Sequence, residues 1–391
     1  MYRVLSGGML AALVTFGFSP GAHALSGPVQ RSGNTFYRAV CAPAVGLAAQ
    51  CHSHVVTDVA GNMLSYAHPP IGGKSPADLR DAYKITANGS PSTIVAIVDA
   101  FGYDNAEAEL GVYRAQWGLP ECTTKNGCFK KLNWKGHEKH YPPQNNGWAL
   151  ESALDLDMAS AMCPNCTLYL IEAKTNSFGH LGEAVDTAAA LGAHVISNSY
   201  GGTESNRVAQ YEPFYDHPGV AVTASTGDSG YGQQAPADMP NVIAVGGTRL
   251  VADGSKRGWA ETVWGGAGSG CSHVFQKPAW QTDKRCKNRM ISDVSAVADP
   301  NTGVAVYFAG AWHVVGGTSV SAPLVGGIFG ANGGAVDAAS TIYANSSALF
   351  DVTTGNNGTC RKHAQYFCTG EAGYDGPTGL GTPKGTAAFG N

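Results

Sequence analysis

The chain has 391 residues, of which 43% are apolar and 14% charged, and it contains 52 glycines. This length fits one large α/β domain with an N-terminal extension, or two small domains. Low charge with many glycines favours a loop-rich extracellular globule over a disordered or cytosolic acidic protein. The formal net charge is −4, so we expect no basic face and no nucleic-acid partner.

The first 24 residues have the pattern of a secretory signal. Arg3 supplies the positive start, MLAALVTFGF is an apolar run too short to span a bilayer, and Ala22-His23-Ala24 has the small-x-small pattern of a cleavage site. No later run is long and apolar enough for a transmembrane helix. We expect cleavage near Ala24 and a secreted protein, extracellular or periplasmic, without a membrane partner.

The ten cysteines agree with export, because disulfides persist in oxidising compartments. Sequence does not fix their connectivity, and nearest-neighbour pairing is the simplest prediction. The CxxC unit at 163–166 is also typical of redox motifs, whereas no second CxxC or HxxxH completes a zinc site. The nearest-neighbour pairs are Cys41–Cys51, Cys122–Cys128, Cys163–Cys166, Cys271–Cys286 and Cys360–Cys368.

Residues 25–72 are a leader of mixed character, and we expect the main domain at 73–391. In that domain, short apolar runs alternate with segments of helical period, which predicts a mainly parallel sheet flanked by helices. The predicted helices are 76–85, 105–118, 148–162 and 181–192, and the predicted strands are 93–100, 166–173, 194–202, 219–225 and 241–248.

Ligands in parallel sheets bind beyond the carboxyl ends of the strands. Asp99, Asn198 with Ser199, and Asp228 all lie at or just after predicted strand ends. We therefore expect these polar side chains to meet at one edge of the sheet.

The octapeptide GGTSVSAP, at 316–323, places one serine after a Gly-Gly-Thr turn and before an apolar, glycine-dotted segment. Such a turn favours a serine at the start of a helix, where backbone N–H groups point outward and attract negative charge. Ser319 would then suit attack on a carbonyl, because the oxyanion would form beside those donors. The alternative is a Gly/Ser-rich loop with a capping serine.

Glu151 and Asp155 are four residues apart in the predicted helix 148–162, so both carboxylates share one face. Like charges at this spacing repel each other, and such a pair can share a proton and separate its two pKa values. The alternative is an exposed acidic stripe. Asp157 lies off this face, and we expect it to be solvated or to act as a cap.

Asp228 lies in STGDSGYG, where Asp-Ser-Gly also suits an ordinary turn. Asp99 ends a strand, and an aspartate in such a place orients a catalytic histidine in the subtilisin family. That family needs an HGTH motif on the next helix, and this chain has none. His137 and His140 lie in a polar loop, and the helix carries Glu151 instead.

Together these motifs resemble the sedolisin, or serine-carboxyl peptidase, family, from about residue 72 to the end of the chain. The resemblance implies an α/β, subtilisin-like three-layer fold with a mainly parallel central sheet flanked by helices. It also implies a serine endopeptidase that acts on proteins or peptides, and we expect a monomer. The matching pieces, in the family order, are ESALDLDMASAMCP, VISNSYGG, ASTGDSG, AVGGTRL, GGTSVSAP and GYDGPTGLGTP.

The resemblance implies a role for each matching residue. Ser319 would be the nucleophile and Glu151 the general base, in place of histidine. Asp155 would hydrogen-bond and orient Glu151. Asp228, in its protonated form, would donate a hydrogen bond at the oxyanion hole. Because Glu151 must be ionised and Asp228 protonated, we expect activity at acidic pH.

Further expectations follow from the same family. Asp99 matches a position that extends the carboxylate network in some members. The stretch Ser199-Tyr200-Gly201 would be an edge strand that pairs with the substrate backbone. Well-known members carry a long, folded prodomain, whereas about 48 residues separate the predicted signal from the main domain here, too few for a comparable domain.

The family also binds a calcium ion near its C-terminus. The matching loops here are LFDVTTGNNG and GEAGYDG. Carboxylates with backbone carbonyls suit a hard cation with six oxygen ligands, although ordinary aspartate turns would give the same pattern. Position 371 is usually glycine in the family, so the glutamate here must contribute only its carbonyl. The implied ligands of one structural ion are Asp351, Val352, Glu371, Gly373 and Asp375.

Two other functions stay open on sequence alone. A subtilisin-type Ser/His/Asp peptidase would share Asp99 and the GTS motif with this chain. This chain, however, lacks the helix that carries the histidine in such peptidases. A secreted, catalytically inactive calcium-binding or adhesive module on the same fold would need no intact set of catalytic residue types, and this chain has the whole set.

Overall fold

The computed structural model describes residues 25–334, 338–360 and 364–390. The predicted signal peptide, residues 1–24, and its cleavage point at Ala24 lie outside the described residues. Across the described ranges, no helix is both long and apolar enough to cross a membrane.

The described residues form six α-helices and twenty strands, together with short 3-10 turns. The helices are α1 (Pro76–Ala82), α2 (Ala106–Gln116), α3 (Asn146–Met162), α4 (Phe178–Ala190), α5 (Thr318–Ala331) and α6 (Ala338–Ala344). The strands are β1 (Ser26–Ser32), β2 (Thr35–Ala39), β3 (Gln50–Cys51), β4 (His54–Thr57), β5 (Ile94–Ala100), β6 (Phe129–Asn133), β7 (Thr167–Ala173), β8 (Val195–Asn198), β9 (Tyr200–Thr203), β10 (Ala221–Ser225), β11 (Gln234–Ala235), β12 (Ile243–Ala252), β13 (Trp259–Val263), β14 (Gly270–Gln276), β15 (Asn288–Ile291), β16 (Val294–Val297), β17 (Val304–Phe308), β18 (Ala311–Gly316), β19 (Leu349–Phe350) and β20 (Thr382–Pro383).

The largest sheet has the order β13-β12-β10-β8-β5-β7-β6, and β16 also pairs with β12. Each neighbouring pair is parallel except β12 with β13. Strands β5 and β7 are buried along almost their whole length, as expected for apolar strands covered by helices. The predicted α/β class with a mainly parallel central sheet is confirmed.

Helices α3 and α5 pack against each other and against this sheet. Every residue of α3 from Trp148 to Met162 is buried, and so is the whole of α5. The glycines of α5 permit the close approach. A Cβ at Gly327 would lie 2.7 Å from the Cβ of Met162, and one at Gly330 would lie 2.7 Å from a methyl group of Val95. The glycine-dotted segment after Ser319 is therefore a packing feature.

The predicted strand 194–202 is divided into β8 and β9 at Ser199. Strand β8 stays in the central sheet between β5 and β10, whereas β9 pairs with β11 and β3 in a separate three-stranded sheet. The chain must leave one sheet for the other at this point. The prediction of one continuous strand was wrong, because periodicity does not show a change of partner.

The N-terminal strands pair with strands of the main domain. Strands β1, β2 and β4 extend the β18–β17 hairpin into a five-stranded antiparallel sheet, while β3 pairs with β9. Sequence analysis predicted none of the strands β1 to β4, because short strands of mixed composition depend on distant partners.

All five nearest-neighbour disulfides are present. The sulfurs of Cys163 and Cys166 are fully buried, and a Cβ placed at Gly89 would overlap the Cys163 sulfur. A redox motif needs an accessible thiol. The CxxC unit is therefore a structural crosslink.

Candidate active site

Three carboxyl groups, from Asp99 at the end of β5 and from Glu151 and Asp155 on α3, are fully buried. An exposed acidic stripe is thus excluded, because α3 is surrounded by the protein on all sides. Asp157 is buried as well and accepts a hydrogen bond from the backbone N–H of Tyr307 at 3.2 Å, so the expectation of a solvated acid was wrong.

All six oxygens of Asp99, Glu151 and Asp155 lack a hydrogen-bond partner of ordinary geometry within the described residues. Burial raises the pKa of Asp99 to about 7, and it raises the pKa values of the other two acids well above their ordinary range. The charge of Asp99 raises both further. Acids so placed hold protons between them instead of ionising together, and the cluster can exchange a proton with a neighbour.

Ser319 is the second residue of α5, which begins directly after the turn that ends β18. The turn depends on Gly317, whose φ of 103° is rarely adopted by other residues. The Ser319 hydroxyl donates to the carbonyl oxygen of Ser199 at 3.2 Å. It also lies near enough to Glu151 to favour the charged form of that acid, opposing the effect of burial on its pKa.

Asp228 follows β10 and is tied to the start of α5. Its Oδ1 accepts hydrogen bonds from the backbone N–H and from the hydroxyl of Thr318, both at 2.8 Å. Its Oδ2 lies 3.2 Å from Nε2 of His54. These contacts fix Asp228 more firmly than an ordinary turn residue would require.

Two oxygen atoms point into the space above Gly317. A Cβ at this glycine would lie 2.1 Å from the carbonyl oxygen of His52 and 2.6 Å from Oδ2 of Asp228. The same carbonyl oxygen accepts a hydrogen bond from the backbone N–H of Ser319 at 3.0 Å. When protonated, Asp228 would be a second donor beside that N–H, and two such donors make an oxyanion hole.

The carbonyl of His52 belongs to residues 49–54, here named the crossing segment. Within it, β3 pairs antiparallel with β9, with Gln50 opposite Gly201 and Cys51 opposite Tyr200. The backbone N–H of His52 then donates to the carbonyl oxygen of Ser199 at 3.1 Å. The chain's own backbone thus pairs with the stretch 199–201, which the family resemblance assigns to substrate.

Sequence analysis missed the crossing segment. Its local signal is the string CHSH at 51–54, which puts two histidines and a serine in a row. Nothing in that string shows that it lies against a serine more than 260 residues later, at Ser319.

The crossing segment also brings two imidazoles close to the site, yet neither hydrogen-bonds the Ser319 hydroxyl within the described residues. Nδ1 of His52 lies 2.7 Å from the hydroxyl of Ser225, and its Nε2 lies 3.0 Å from Oε1 of Gln234. Nε2 of His54 contacts Oδ2 of Asp228, the acid that follows β10. Within the described residues, the Ser319 hydroxyl therefore acts on Glu151 and hydrogen-bonds neither imidazole.

The implied calcium ligands lie in two loops near the C-terminus. Oδ2 of Asp351 accepts a hydrogen bond from the backbone N–H of Gly373 at 2.8 Å. Asp375 is buried and accepts from the backbone N–H of Glu371 at 3.0 Å, and from the N–H and hydroxyl of Thr378, each at 2.9 Å. Asp351 therefore joins the two loops, and Asp375 holds the conformation of its own loop.

The oxygens in these loops fit a hard cation. Burial raises the pKa of Asp375 to about 7, and the nearby charge of Asp351 adds to this rise, so a cation beside them would relieve the repulsion. No cluster of three or more metal-binding side chains occurs in the described residues, so an ion here would depend on backbone carbonyls. The carbonyl oxygens without a hydrogen bond among the described residues include those of Val352, Glu371 and Gly373.

Glu371 is compatible with this arrangement. Its side chain turns to Arg285, at 3.2 Å, and leaves only its backbone near the two aspartates. Its φ is not in the left-handed region that would require glycine. The family's usual glycine is thus not needed for this backbone conformation.

Comparison with known proteins gives a family match at the same residues. The profile described as the Subtilase family matches residues 143–331, which include both α3 and α5. Kumamolisin from Bacillus sp. (strain MN-32) is 31% identical over 357 residues, covering 80% of this chain and 62% of kumamolisin. Sedolisin from Pseudomonas sp. (strain 101) is 25% identical over 358 residues, covering 79% of this chain and 60% of sedolisin.

The chain spans about three fifths of the length of these two curated relatives. Among solved structures, Pseudomonas sedolisin, a serine-carboxyl proteinase complexed with two molecules of pseudo-iodotyrostatin, gives a TM-score of 0.69 at 24% identity. That match covers 82% of this chain and 96% of the other. It shows that the two proteins share a fold.

Proposed function

Because this chain belongs to the sedolisin family, with its subtilisin-like fold, we propose that it is a serine-carboxyl endopeptidase that hydrolyses peptide bonds in proteins or peptides. One observation carries the proposal. A peptide carbonyl, that of His52, lies beside Ser319 with its oxygen bonded to the Ser319 N–H, and Oδ2 of Asp228 faces the same space. A carbonyl oxygen so held lies where these two groups would stabilise the oxyanion of acyl transfer to a serine.

In the proposed mechanism, Oγ of Ser319 attacks the carbonyl carbon while Glu151 takes the hydroxyl proton. The negative charge on the tetrahedral oxygen is stabilised by the Ser319 N–H and by protonated Asp228. Glu151 then gives its proton to the leaving amine, and water hydrolyses the acyl-enzyme by the reverse sequence. Asp155 orients Glu151, and Asp99 extends the network.

The surroundings of Glu151 support it as the base. Asp99, Glu151 and Asp155 cannot all be ionised together. The hydroxyls of Ser319 and Ser53 both favour the charged form of Glu151, and Ser319 is the residue whose proton the base must take. Asp99 and Asp155 each have such support from one hydroxyl, that of Ser152 and that of Ser199.

We also propose the cellular context expected from the sequence. The protein is exported after cleavage near Ala24, acts as a monomer, and comprises a leader at 25–72 and a peptidase domain at 73–391. The five disulfides agree with an oxidising compartment. Ser199, Tyr200 and Gly201 bind the backbone of a substrate in trans as they bind residues 50–52 in this structure.

One calcium ion is proposed as a structural cofactor. Asp351 and Asp375 would hold it, with the carbonyls of Val352, Glu371 and Gly373. When bound, the ion neutralises the two carboxylates and stabilises the loops, and it supplies nothing to the acyl transfer at Ser319.

The proposal is tested with Ser319→Ala. We expect this variant to be secreted and folded, with its thermal unfolding unchanged, but to lose peptide cleavage and labelling by a covalent serine probe. Cleavage at the wild-type rate, or a wild-type protein that neither cleaves peptides nor reacts with the probe, would overturn the assignment. The second outcome would favour an inactive module on the same fold.

A further inference from the structure

A fourth buried acid, Glu172, lies beside the cluster formed by Asp99, Glu151 and Asp155. Glu172 is near the end of β7 and is 1% exposed, and in the parallel pairing of β5 with β7 it lies opposite Asp99. Neighbouring strands are about 4.8 Å apart, and paired residues project from the same face of the sheet. The charge of Glu172 accordingly raises the pKa of Asp99.

Glu172 does not fit a packing role. The residues of β7 that precede it, Leu168 to Ile171, are buried and apolar apart from one tyrosine hydroxyl. Among the described residues, Oε2 of Glu172 has no hydrogen-bond partner. A buried carboxyl with an unpaired oxygen lowers the stability of the fold, and such groups are concentrated at functional sites.

The surroundings of Glu172 and Asp99 differ. Oε1 of Glu172 accepts a hydrogen bond from the backbone N–H of Tyr103 at 2.8 Å, and Nζ of Lys131 lies 3.7 Å from the same oxygen. Both groups favour the charged form of Glu172. Within the described ranges, the charged form of Asp99 is favoured only by the neutral hydroxyl of Ser152. Glu172 is therefore the first of the two acids to ionise.

Lys131 is held in position on β6, the edge strand next to β7. Its Nζ donates to the carbonyl oxygen of Tyr103 at 3.0 Å and lies 4.3 Å from the centre of the Tyr141 ring. Two further titratable groups face Glu172. The charge of Asp104 raises the pKa of Glu172, and Glu172 in turn contributes to the raised pKa of Tyr141. Lys131 is thus the cation that opposes these effects at Glu172.

Glu172 is separated from the nucleophile by β5. In the central sheet, β5 lies between β7 and β8, and the Ser319 hydroxyl bonds the carbonyl oxygen of Ser199, the residue that follows β8. Glu172 is therefore on the side of β5 away from Ser319. Its influence on the reaction passes through Asp99.

We propose that Glu172 is a positioning residue for the peptidase reaction: its charge keeps Asp99 protonated and so leaves Glu151 free to ionise. Lys131 holds that charge in place. When Asp99 is ionised, its charge raises the pKa values of Glu151 and Asp155. A neutral Asp99 removes this effect, so Glu151 loses its proton at a lower pH and can accept that of the nucleophile. The inference rests on the proposed function, since it concerns the general base of that reaction.

Glu172→Gln tests the charge. Glutamine keeps an oxygen that accepts from the Tyr103 N–H but cannot ionise, so Asp99 should ionise more easily and Glu151 should hold its proton more tightly. The measurement is kcat/KM against pH, with active sites counted by a covalent serine probe. We expect the acid limb, where activity rises as Glu151 ionises, to move at least about half a pH unit toward higher pH.

Lys131→Met removes the cation instead of the acid. Glu172 should then keep its proton to a higher pH, so the acid limb should move in the same direction. Because both changes act through one charge, the double variant should show the shift of one variant and not the sum. Lys131→Arg keeps the cation and should restore most of the wild-type profile.

The matched controls are Glu138→Gln and Lys135→Met, at exposed positions of the same segment. Both should keep the wild-type profile. A merely structural role of Glu172 would lower the melting temperature or kcat without moving the acid limb.

An unmoved acid limb in Glu172→Gln, or a limb displaced to lower pH, would overturn the inference while leaving the peptidase in place. Should Glu172→Gln fail to fold, the limbs of Lys131→Met and Lys131→Arg decide in the same way. A wild type that cleaves no peptide at any pH would overturn the proposed function, and the role of Glu172 with it.

Discussion

Glu151 and Asp228 need opposite protonation states to act as proposed. Glu151 accepts the serine proton only when it is ionised, and Asp228 donates to the oxyanion only when it is protonated. Burial and the charge of Asp99 raise the pKa of Glu151, so the acid limb of the activity profile should lie above the value for a free glutamate, ~4.3.

Replacing Glu151 by glutamine tests the base. Glutamine keeps the shape but accepts no proton, so we expect kcat/KM to fall by about 10²- to 10⁴-fold. The measurement is peptide hydrolysis at the optimum pH of the wild type. The matched control is Glu183→Gln, an exposed glutamate on α4, which should keep full activity. A loss smaller than about threefold in Glu151→Gln would instead favour a peptidase with another base.

Replacing Asp228 by asparagine tests the oxyanion donor. The amide keeps a donor that cannot ionise, and its oxygen can still accept from Thr318, as Oδ1 does now. Any activity that remains in Asp228→Asn should therefore not decline at the high-pH end of the profile. The activity of the wild type should fall as the pH rises. The profile of kcat/KM against pH decides the matter. A wild-type optimum at alkaline pH, or the same upper limb in both proteins, contradicts the carboxyl mechanism.

At the scale of elements, the sequence predicted what local patterns encode. The helices that became α1 to α4 and five strands of the central sheet, β5, β7, β8, β10 and β12, follow from apolar period, and Ser75 caps α1 with a capping box that local residues supply. Strands β1 to β4, the central-sheet strands β6, β13 and β16, and the break at Ser199 were missed. Their pairing depends on partners far away in the chain, and no local pattern records those partners.

The candidate site divides in the same way. Ser319, Glu151, Asp155 and Asp228 could be named from motifs, since each motif fixes a side chain on its own element. The histidines give the opposite lesson. His137 and His140, visible in a polar loop, are exposed, while the imidazoles at the site come from the N-terminal region. Their place depends on β3 and β4, which sequence did not predict.

The two C-terminal loops give a prediction about calcium. An ion that binds only the folded state stabilises it by mass action, by about 2.7 kcal/mol at a concentration 100-fold above its Kd. We expect the melting temperature to rise by several degrees in calcium relative to chelator. In Asp351→Asn this rise should shrink, while the chelated proteins should melt alike, because Asp351 is exposed and accepts only the Gly373 N–H.

The matched control for the loop is Asp253→Asn, another exposed aspartate in a turn. It should show the full calcium effect. Differential scanning fluorimetry measures the three proteins, each in calcium and in chelator, side by side. An identical melting temperature in calcium and in chelator for the wild type would contradict the proposed calcium site.

At the scale of the whole molecule, buried acids make stability depend on pH. Burial raises the pKa of Asp99 and of Glu172 to about 7, from ~4 in an unfolded chain. The native state then holds these protons more tightly, so this stability is fully present below pH ~4 and is lost as the pH rises through about 7. The lowered pKa of His52 has the opposite effect, because it reduces the stability of the native state below pH ~6.5. This is one group against several acids whose pKa values are raised.

We therefore expect the melting temperature to fall by several degrees between pH ~4 and ~7, since each unit of pKa shift corresponds to ~1.4 kcal/mol. Asp99→Asn should flatten this slope, because asparagine does not titrate. Glu183→Gln, at an exposed position on α4, should leave the slope as it is. A melting temperature that rises steadily from acid to neutral pH would show that other groups dominate.

The pairing of β3 with β9 joins two parts of one chain, so the strand competes for the groove as a tethered ligand. A short tether gives an effective concentration on the order of millimolar, which dilution does not change. Added inhibitors and substrates must displace that strand at any protein concentration while the chain is continuous.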